Sequence, residues 1–263
     1  MTLKKLINKS WYGSIGFINN DSDIELLGSY LLHNQLILDE YKGHIFALTY
    51  NELNKEYLEN TILSLYPNAI IIYLDENRGH NFGTADLDNT IFNYCKENNI
   101  EWLCKASNDI ILQPEVLEIP IQEADFYYMD GIGYGGMENL NFDSNKIQNE
   151  YFYPQTNFYF INVSKTDYLT DKNYINKTYN QIQQLDNYNG KIWEYIQDWS
   201  CEWFLLHCVE RNNLIKYHLI PQETYIKLLE LVKLNQIHDC SHKNIMIEGI
   251  CHYQHPDKNI III

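Results

Sequence analysis

Three polar residues, Thr49, Asp75 and Asp109, stand at or just beyond the ends of short apolar runs. Hydroxyl and carboxylate groups so placed can hydrogen-bond a small ligand and coordinate a hard divalent cation. Two further residues near the end of the chain, His252 and Lys258, bring complementary chemistry. An imidazole nitrogen is a good ligand for Mn2+, and a lysine supplies a point charge for phosphate. Asp198 and Glu202 lie four apart in a stretch with helical patterning, so they share one helical face. A carboxylate there could act as the general base that deprotonates an attacking hydroxyl, with Asp198 the first candidate and Glu202 the second.

The elements that must position these residues can be read from the apolar pattern. Residues 21–41 carry Ile24, Leu27, Leu31 and Leu38 at helical spacing behind Asp21 and Asp23, which predicts a helix. His44–Tyr50 reads as a buried strand, 54–65 as a helix, and Ala69–Leu74 as the clearest strand of the chain. A glycine-containing loop from Arg78 to Gly83 leads into a helix over Thr84–Glu97, and Ile100–Lys105 reads as a third strand. This alternation predicts an α/β fold, a largely parallel sheet with helices on its faces. Ligands of such sheets gather at the carboxyl ends of the strands, where Thr49, Asp75 and Asp109 would converge.

The second half is less regular. Strands are expected over Asp125–Met129, Tyr151–Val163 and Leu214–Ile220, a helix over Ile192–Val209, and a packed strand at Ile260–Ile263. Gly131–Gly136 lacks the lysine and hydroxyl residue of a phosphate-binding P-loop and reads as a turn or lid edge. No internal repeat and no long linker interrupts the chain, which predicts one domain over residues 1–263.

Composition narrows the partners. A formal net charge of -16, with 19 basic residues and no basic run, argues against nucleic acid. The same balance means that a diphosphate would be held most easily by a cation bridging to carboxylates. Cys95, Cys104, Cys201, Cys208, Cys240 and Cys251 form no C-x-x-C pair, so buried free thiols are expected. No apolar segment reaches signal-peptide or membrane-span length, and the expectation is a cytoplasmic protein with no membrane span.

Thr49-Tyr50-Asn51, then Asp75, then the 77–83 loop, then Ser107-Asn108-Asp109 follow one another with the order and spacing of known motifs. Over roughly residues 44–115 the chain resembles family 2 and related GT-A glycosyltransferases. Those enzymes show a strand ending in T-Y-N, a second ending in Asp, an N-x-G…G loop and a D-x-D. The ending His252-Tyr-Gln-His-Pro-Asp-Lys258 resembles, in part, the H-[FY]-x-G-x-x-K-P-W segment of family 8 enzymes.

The resemblance implies a GT-A-type, Rossmann-like domain that moves a sugar from a nucleotide diphosphate sugar to a hydroxyl acceptor such as a glycan. Residues 44–115 would form its nucleotide-sugar half, and 116–263 its acceptor half with a C-terminal metal and phosphate segment. Thr49, Tyr50, Asn51 and Asp75 would line the nucleoside pocket, with Asn77, Arg78, Gly79 and Gly83 closing over it. Asp109 and His252 would hold Mn2+ or Mg2+, flanked by Ser107 and Asn108, and Lys258 would meet the diphosphate. Ser107 departs from the first Asp of D-x-D. That departure keeps open an alternative, a GT-A-like nucleotide- or sugar-binding protein without turnover. Asp198 as base favours inversion at the anomeric carbon, whereas the His252–Lys258 ending favours retention.

Overall fold

The expected alternation of strands and helices is present, and it begins one unit earlier than the apolar pattern indicates. The computed structural model describes residues 1–50, 54–130, 154–183, 201–221, 223–224, 244–252 and 260–262. After a short helix α1 (Leu3–Ile7), residues Trp11–Ile18 form β1. Gly13, Ser14 and Gly16 interrupt the apolar run of this strand and hide it from periodicity. The strands at His44–Tyr50, Ile70–Tyr73 and Trp102–Ser107 are therefore β2, β3 and β4. Thr49 and Tyr50 end the second strand and not the first, and Asp75 follows the third.

β1 lies inside the sheet, parallel to β2 on one side and to β4 on the other, and β3 extends the sheet parallel to β2. Beyond β4 come β7 (Pro154–Asn162), antiparallel to it, then β6 (Phe126–Asp130), then β8 (Lys216–His218). The order is β3-β2-β1-β4-β7-β6-β8, a mostly parallel mixed sheet.

Helices cover both faces because alternate strand residues are apolar on each. Tyr12, Ile18, Phe46, Leu48 and Ala106 face α2 (Asp21–His33) and α4 (Lys55–Leu63), through Ile24, Leu27, Leu58 and Ile62. Ile15, Ile45, Ala47 and Leu103 face α5 (His80–Glu97) and α7 (Cys201–Arg211), through Leu87, Ile91, Leu205 and Val209. Each such wholly buried aliphatic or Phe side chain contributes roughly 1.5–3 kcal/mol over exposure. Between β7 and α7 lies α6 (Lys172–Gln183). Cys95, Cys104, Cys201, Cys208 and Cys251 are free and buried, as their spacing predicts.

Two expected helices have different limits. The helix expected over 21–41 breaks at Asn34, and a short α3 (Gln35–Leu38) follows. The buried Asn34 side chain is engaged elsewhere, donating to the Ile110 carbonyl at 2.6 Å and accepting from the Leu112 N–H at 2.8 Å. The helix expected from Thr84 begins at His80, so much of the expected 78–83 loop is the first turn of α5.

A second, smaller sheet collects distant pieces of the chain. β5 (Ile110–Leu112) pairs antiparallel with β10 (Ile250–His252), which forms a hairpin with β9 (Asn244–Ile247); β11 (Ile260–Ile262) lies parallel to β9. Glu248 and Gly249, both at positive φ, make the tight connection that such hairpins favour. Among the described residues, no helix is long and apolar enough to cross a membrane.

Candidate functional site

The chain changes direction across the sheet between β1 and β4. It runs from β1 to β2 to β3 toward one edge, and α5 then carries it back over β2 and β1 to lay β4 on the far side of β1. A crevice opens where neighbouring connections leave in opposite directions, outside the carboxyl ends of the two strands. Phe17, Ile18 and Asn19 reach this mouth from β1, and Ser107, Asn108 and Asp109 from β4. Asn108 lies directly over β1: a Cβ at Gly16 would stand 3.1 Å from its Nδ2. Thr49, buried, and Tyr50, half-buried, pair with Phe17 and Ile18 across the neighbouring strand.

The segment that follows β3 is fastened to the same mouth. Asn77 Oδ1 accepts from the Gly79 N–H at 2.9 Å, and Gly79 adopts φ +88, a conformation glycine takes without strain. A Cβ at Gly83 would stand 3.0 Å from Asn77 Oδ1 and 3.1 Å from the Phe17 ring. Glycine here lets the first turn of α5 close on the end of β1. Arg78 is held in a fork by Asp86, with Nε and Nη2 at 2.7 and 2.6 Å from its two oxygens. Its Nη1 donates to Asn176 at 2.8 Å, and the guanidinium lies 5.0 Å from the Tyr179 ring. Arg78 thus ties the loop to α5 and α6. Asp75 is exposed past β3, and the Tyr50 ring packs 4.4 Å from that of Tyr73, with the Lys55 ammonium 4.6 Å from the latter.

The second sheet lays the His252 backbone against Ile110, the residue after Asp109, in the β5–β10 ladder. The Asp109 charge reaches its surroundings: burial first and then Asp109 push the Cys251 thiol up to about 11. The buried Tyr12 hydroxyl is likewise raised, chiefly by burial, with Asp109 among the contributors. A carboxylate oxygen and an imidazole nitrogen, if they met, would be a donor set suited to Mn2+. Among the described residues, no three His, Cys, Asp or Glu side chains gather around one point.

Under the carboxyl end of β4 lies a buried polar cluster that the apolar pattern conceals. Lys105 is wholly buried, with Nζ 3.5 Å from Asp88 Oδ1. The ammonium also donates to the Thr156 carbonyl and, at 3.4 Å, to Ser107 Oγ. Thr156 Oγ1 donates at 3.2 Å to Glu202, and Cys201 Sγ lies 3.4 Å from the other Glu202 oxygen. Burial pushes the Asp88 carboxyl up to about 6, against the opposing pull of Lys105 and with a smaller push from Glu202. Glu202 is therefore a buried, hydrogen-bonded carboxylate two residues' reach from Lys105, not a solvated helical acid.

The fold thus gathers Thr49, Tyr50, Asn77, Gly79, Gly83, Ser107, Asn108 and Asp109 around one mouth, with the His252 backbone beside them. Asp75 stands at the margin, and Arg78 and Glu202 are engaged within the protein. Asn51, Asp198, Lys258 and the 131–136 stretch lie outside the described residues. Lys105, Asp88, Asn34 and the end of β1 were not singled out from the sequence. A lysine inside an otherwise apolar strand and an aspartate among the apolar positions of a helix were the signals available. No protein-family model matches the chain, and no curated protein matches it.

Proposed function

We propose that the protein is a metal-dependent glycosyltransferase of GT-A type, which transfers a sugar from a nucleotide diphosphate sugar to a hydroxyl acceptor. The observation that supports this reading is the placement of Thr49 and Tyr50, the Asn77–Gly83 segment and Ser107–Asp109 at one end of β1, β2 and β4, with the His252 backbone paired to Ile110 one residue after Asp109. Asp109 and His252 would hold Mn2+ or Mg2+, and the bound cation would neutralise charge on the departing nucleotide diphosphate. Thr49, Tyr50 and the Asn77–Gly79 turn would border the nucleoside, and Asn108 would lie over the strand end beneath it. Glu202 is buried and accepts from Thr156, which leaves Asp198 as the base of an inverting reaction. The test is donor consumption with a panel of UDP- and GDP-sugars and Mn2+. Turnover by the wild type that Asp109→Ala abolishes supports the reading, and equal behaviour of the two proteins with every donor refutes it.

Ser107 favours a second reading, nucleotide or sugar binding without turnover, because it stands where the resembled motif has its first carboxylate. Calorimetry separates the two: this reading requires nucleotide binding that is indifferent to Mn2+.

A further inference from the structure

Lys105 is the only lysine or arginine among the described residues that is buried. Placing an ammonium in such a site carries a large desolvation cost, and apolar side chains often serve stability as well there. Two of its contacts, the Asp88 carboxylate and the Thr156 carbonyl, offset that cost. The third, Ser107 Oγ at 3.4 Å, leads to the candidate site, because Ser107 is the last residue of β4 and is half-exposed.

An ammonium has three N–H groups and no lone pair, so toward Ser107 it can only donate. Ser107 Oγ then accepts, and its own proton turns away from the ammonium. Lys105 and Ser107 are two apart on one strand and share a face, so the pairing is built into β4. An aspartate at position 107 would present only acceptors. A serine held from behind by Lys105 presents a donor, and the group that suits a donor is an oxygen anion. We infer that Lys105 is a positioning residue that fixes the Ser107 hydroxyl as a hydrogen-bond donor to a diphosphate oxygen. The nucleoside part of such a ligand rests on the proposed function; the donor character of Ser107 follows from its contact with Lys105.

The experiment is titration calorimetry of the full chain with UDP, GDP and inorganic pyrophosphate, each with Mn2+, and with uridine and guanosine as controls. Ser107→Ala should weaken UDP or GDP and pyrophosphate by roughly ten- to a hundredfold, the worth of a hydrogen bond to a charged group, and leave the nucleosides unaffected. Ser107→Thr should restore binding, and Ser107→Asp should weaken it further. Lys105→Met combined with Asp88→Leu, which removes the Asp88 carboxylate together with its partner cation and leaves Glu202 its Thr156 hydrogen bond, should lower pyrophosphate affinity, and adding Ser107→Ala should cost little more. If that pair of substitutions does not fold, the three Ser107 variants decide. Unchanged binding in Ser107→Ala, or tighter binding in Ser107→Asp, overturns the inference and leaves the glycosyltransferase reading standing. Ser107-dependent binding of pyrophosphate without binding of UDP or GDP overturns that reading and upholds the inference. A wild type that binds none of these anions overturns both.

Discussion

His252 pairs with Ile110 across the second sheet, and Asp109 is the residue immediately before Ile110. The two proposed metal ligands, from opposite halves of the chain, thus stand one in this ladder and one in the turn immediately before it. If both touch the same cation, their removal cannot be independent. Asp109→Asn and His252→Ala should each weaken Mn2+ binding at least about tenfold, and the double variant should fall short of the sum by about 0.5–3 kcal/mol. Manganese titration followed by electron paramagnetic resonance measures all four proteins. Strictly additive losses would separate the two residues and remove the shared site.

Asp88 makes stability depend on pH in an unusual direction for a carboxylate. Its proton is held more tightly in the folded protein, at about 6, than in an unfolded chain near the ordinary 3.8. The contribution is therefore fully present below about pH 4, declines as the pH rises, and is lost above about 6. A move of that size amounts to roughly 3 kcal/mol. Lys105 opposes the move and Glu202 adds to it, so both face Asp88 in the cluster. Urea denaturation of wild type and Asp88→Asn between pH 4 and 7 should give a stability difference that changes by this amount, with the wild type favoured at the acid end. A difference that stays flat across the range would show that Asp88 does not titrate there.

The resemblance implies Arg78 at the nucleotide, and its guanidinium bridges Asp86, Asn176 and the Tyr179 ring. A planar fork on a carboxylate is something lysine cannot reproduce. Arg78→Lys should thus behave like Arg78→Ala, each losing about 1 kcal/mol of stability, a figure kept small by partial exposure of the pair. Hydrogen exchange should quicken over residues 77–83 and the start of α6 in both variants. If lysine instead preserves nucleotide affinity while alanine loses it, Arg78 meets the phosphates as a charge, and its role at the loop is secondary.

What the sequence made legible, and what it did not, follows from which signals are local. The runs at His44–Tyr50 and Ala69–Leu74 are apolar along their length, and they became β2 and β3 nearly as expected. β1 is hidden from periodicity because Gly13 and Gly16 stand where a side chain would crowd Ile91 and Leu103 at one and Asn108 and Leu48 at the other. Those neighbours are remote in sequence, so no window around residue 13 contains the reason for a glycine. The missed strand also shifted the count by one and put Thr49 on the wrong strand of the resembled pattern. Lys105 was absorbed into an apolar run, because periodicity registers a strand and not the partner that a buried charge will need. The pairing of His252 with Ile110 could not be read from the sequence, because antiparallel pairing between distant segments leaves no trace in spacing.

Asn34 links that distant pairing to the main core, and it offers the sharpest test of how the site is held. β5 has β10 on one edge, and on the other the Asn34 amide donates to the Ile110 carbonyl and accepts from the Leu112 N–H. One side chain thus satisfies two backbone groups as a neighbouring strand would, at a residue that is 3% exposed. Asn34→Ala leaves both groups buried without these partners, which should cost about 2–6 kcal/mol at about 1–3 kcal/mol for each. Asn34→Asp keeps the acceptor for Leu112 but loses the donor to Ile110, so it should be no milder. Because Ile110 stands between Asp109 and the pairing with His252, slackening β5 should also weaken Mn2+ binding, although the two amide bonds of Asn34 are made to Ile110 and Leu112. Thermal unfolding and manganese titration on the same samples check both effects. Loss of stability with unchanged metal affinity would mean that the turn before β5, and not the ladder after it, sets the position of Asp109.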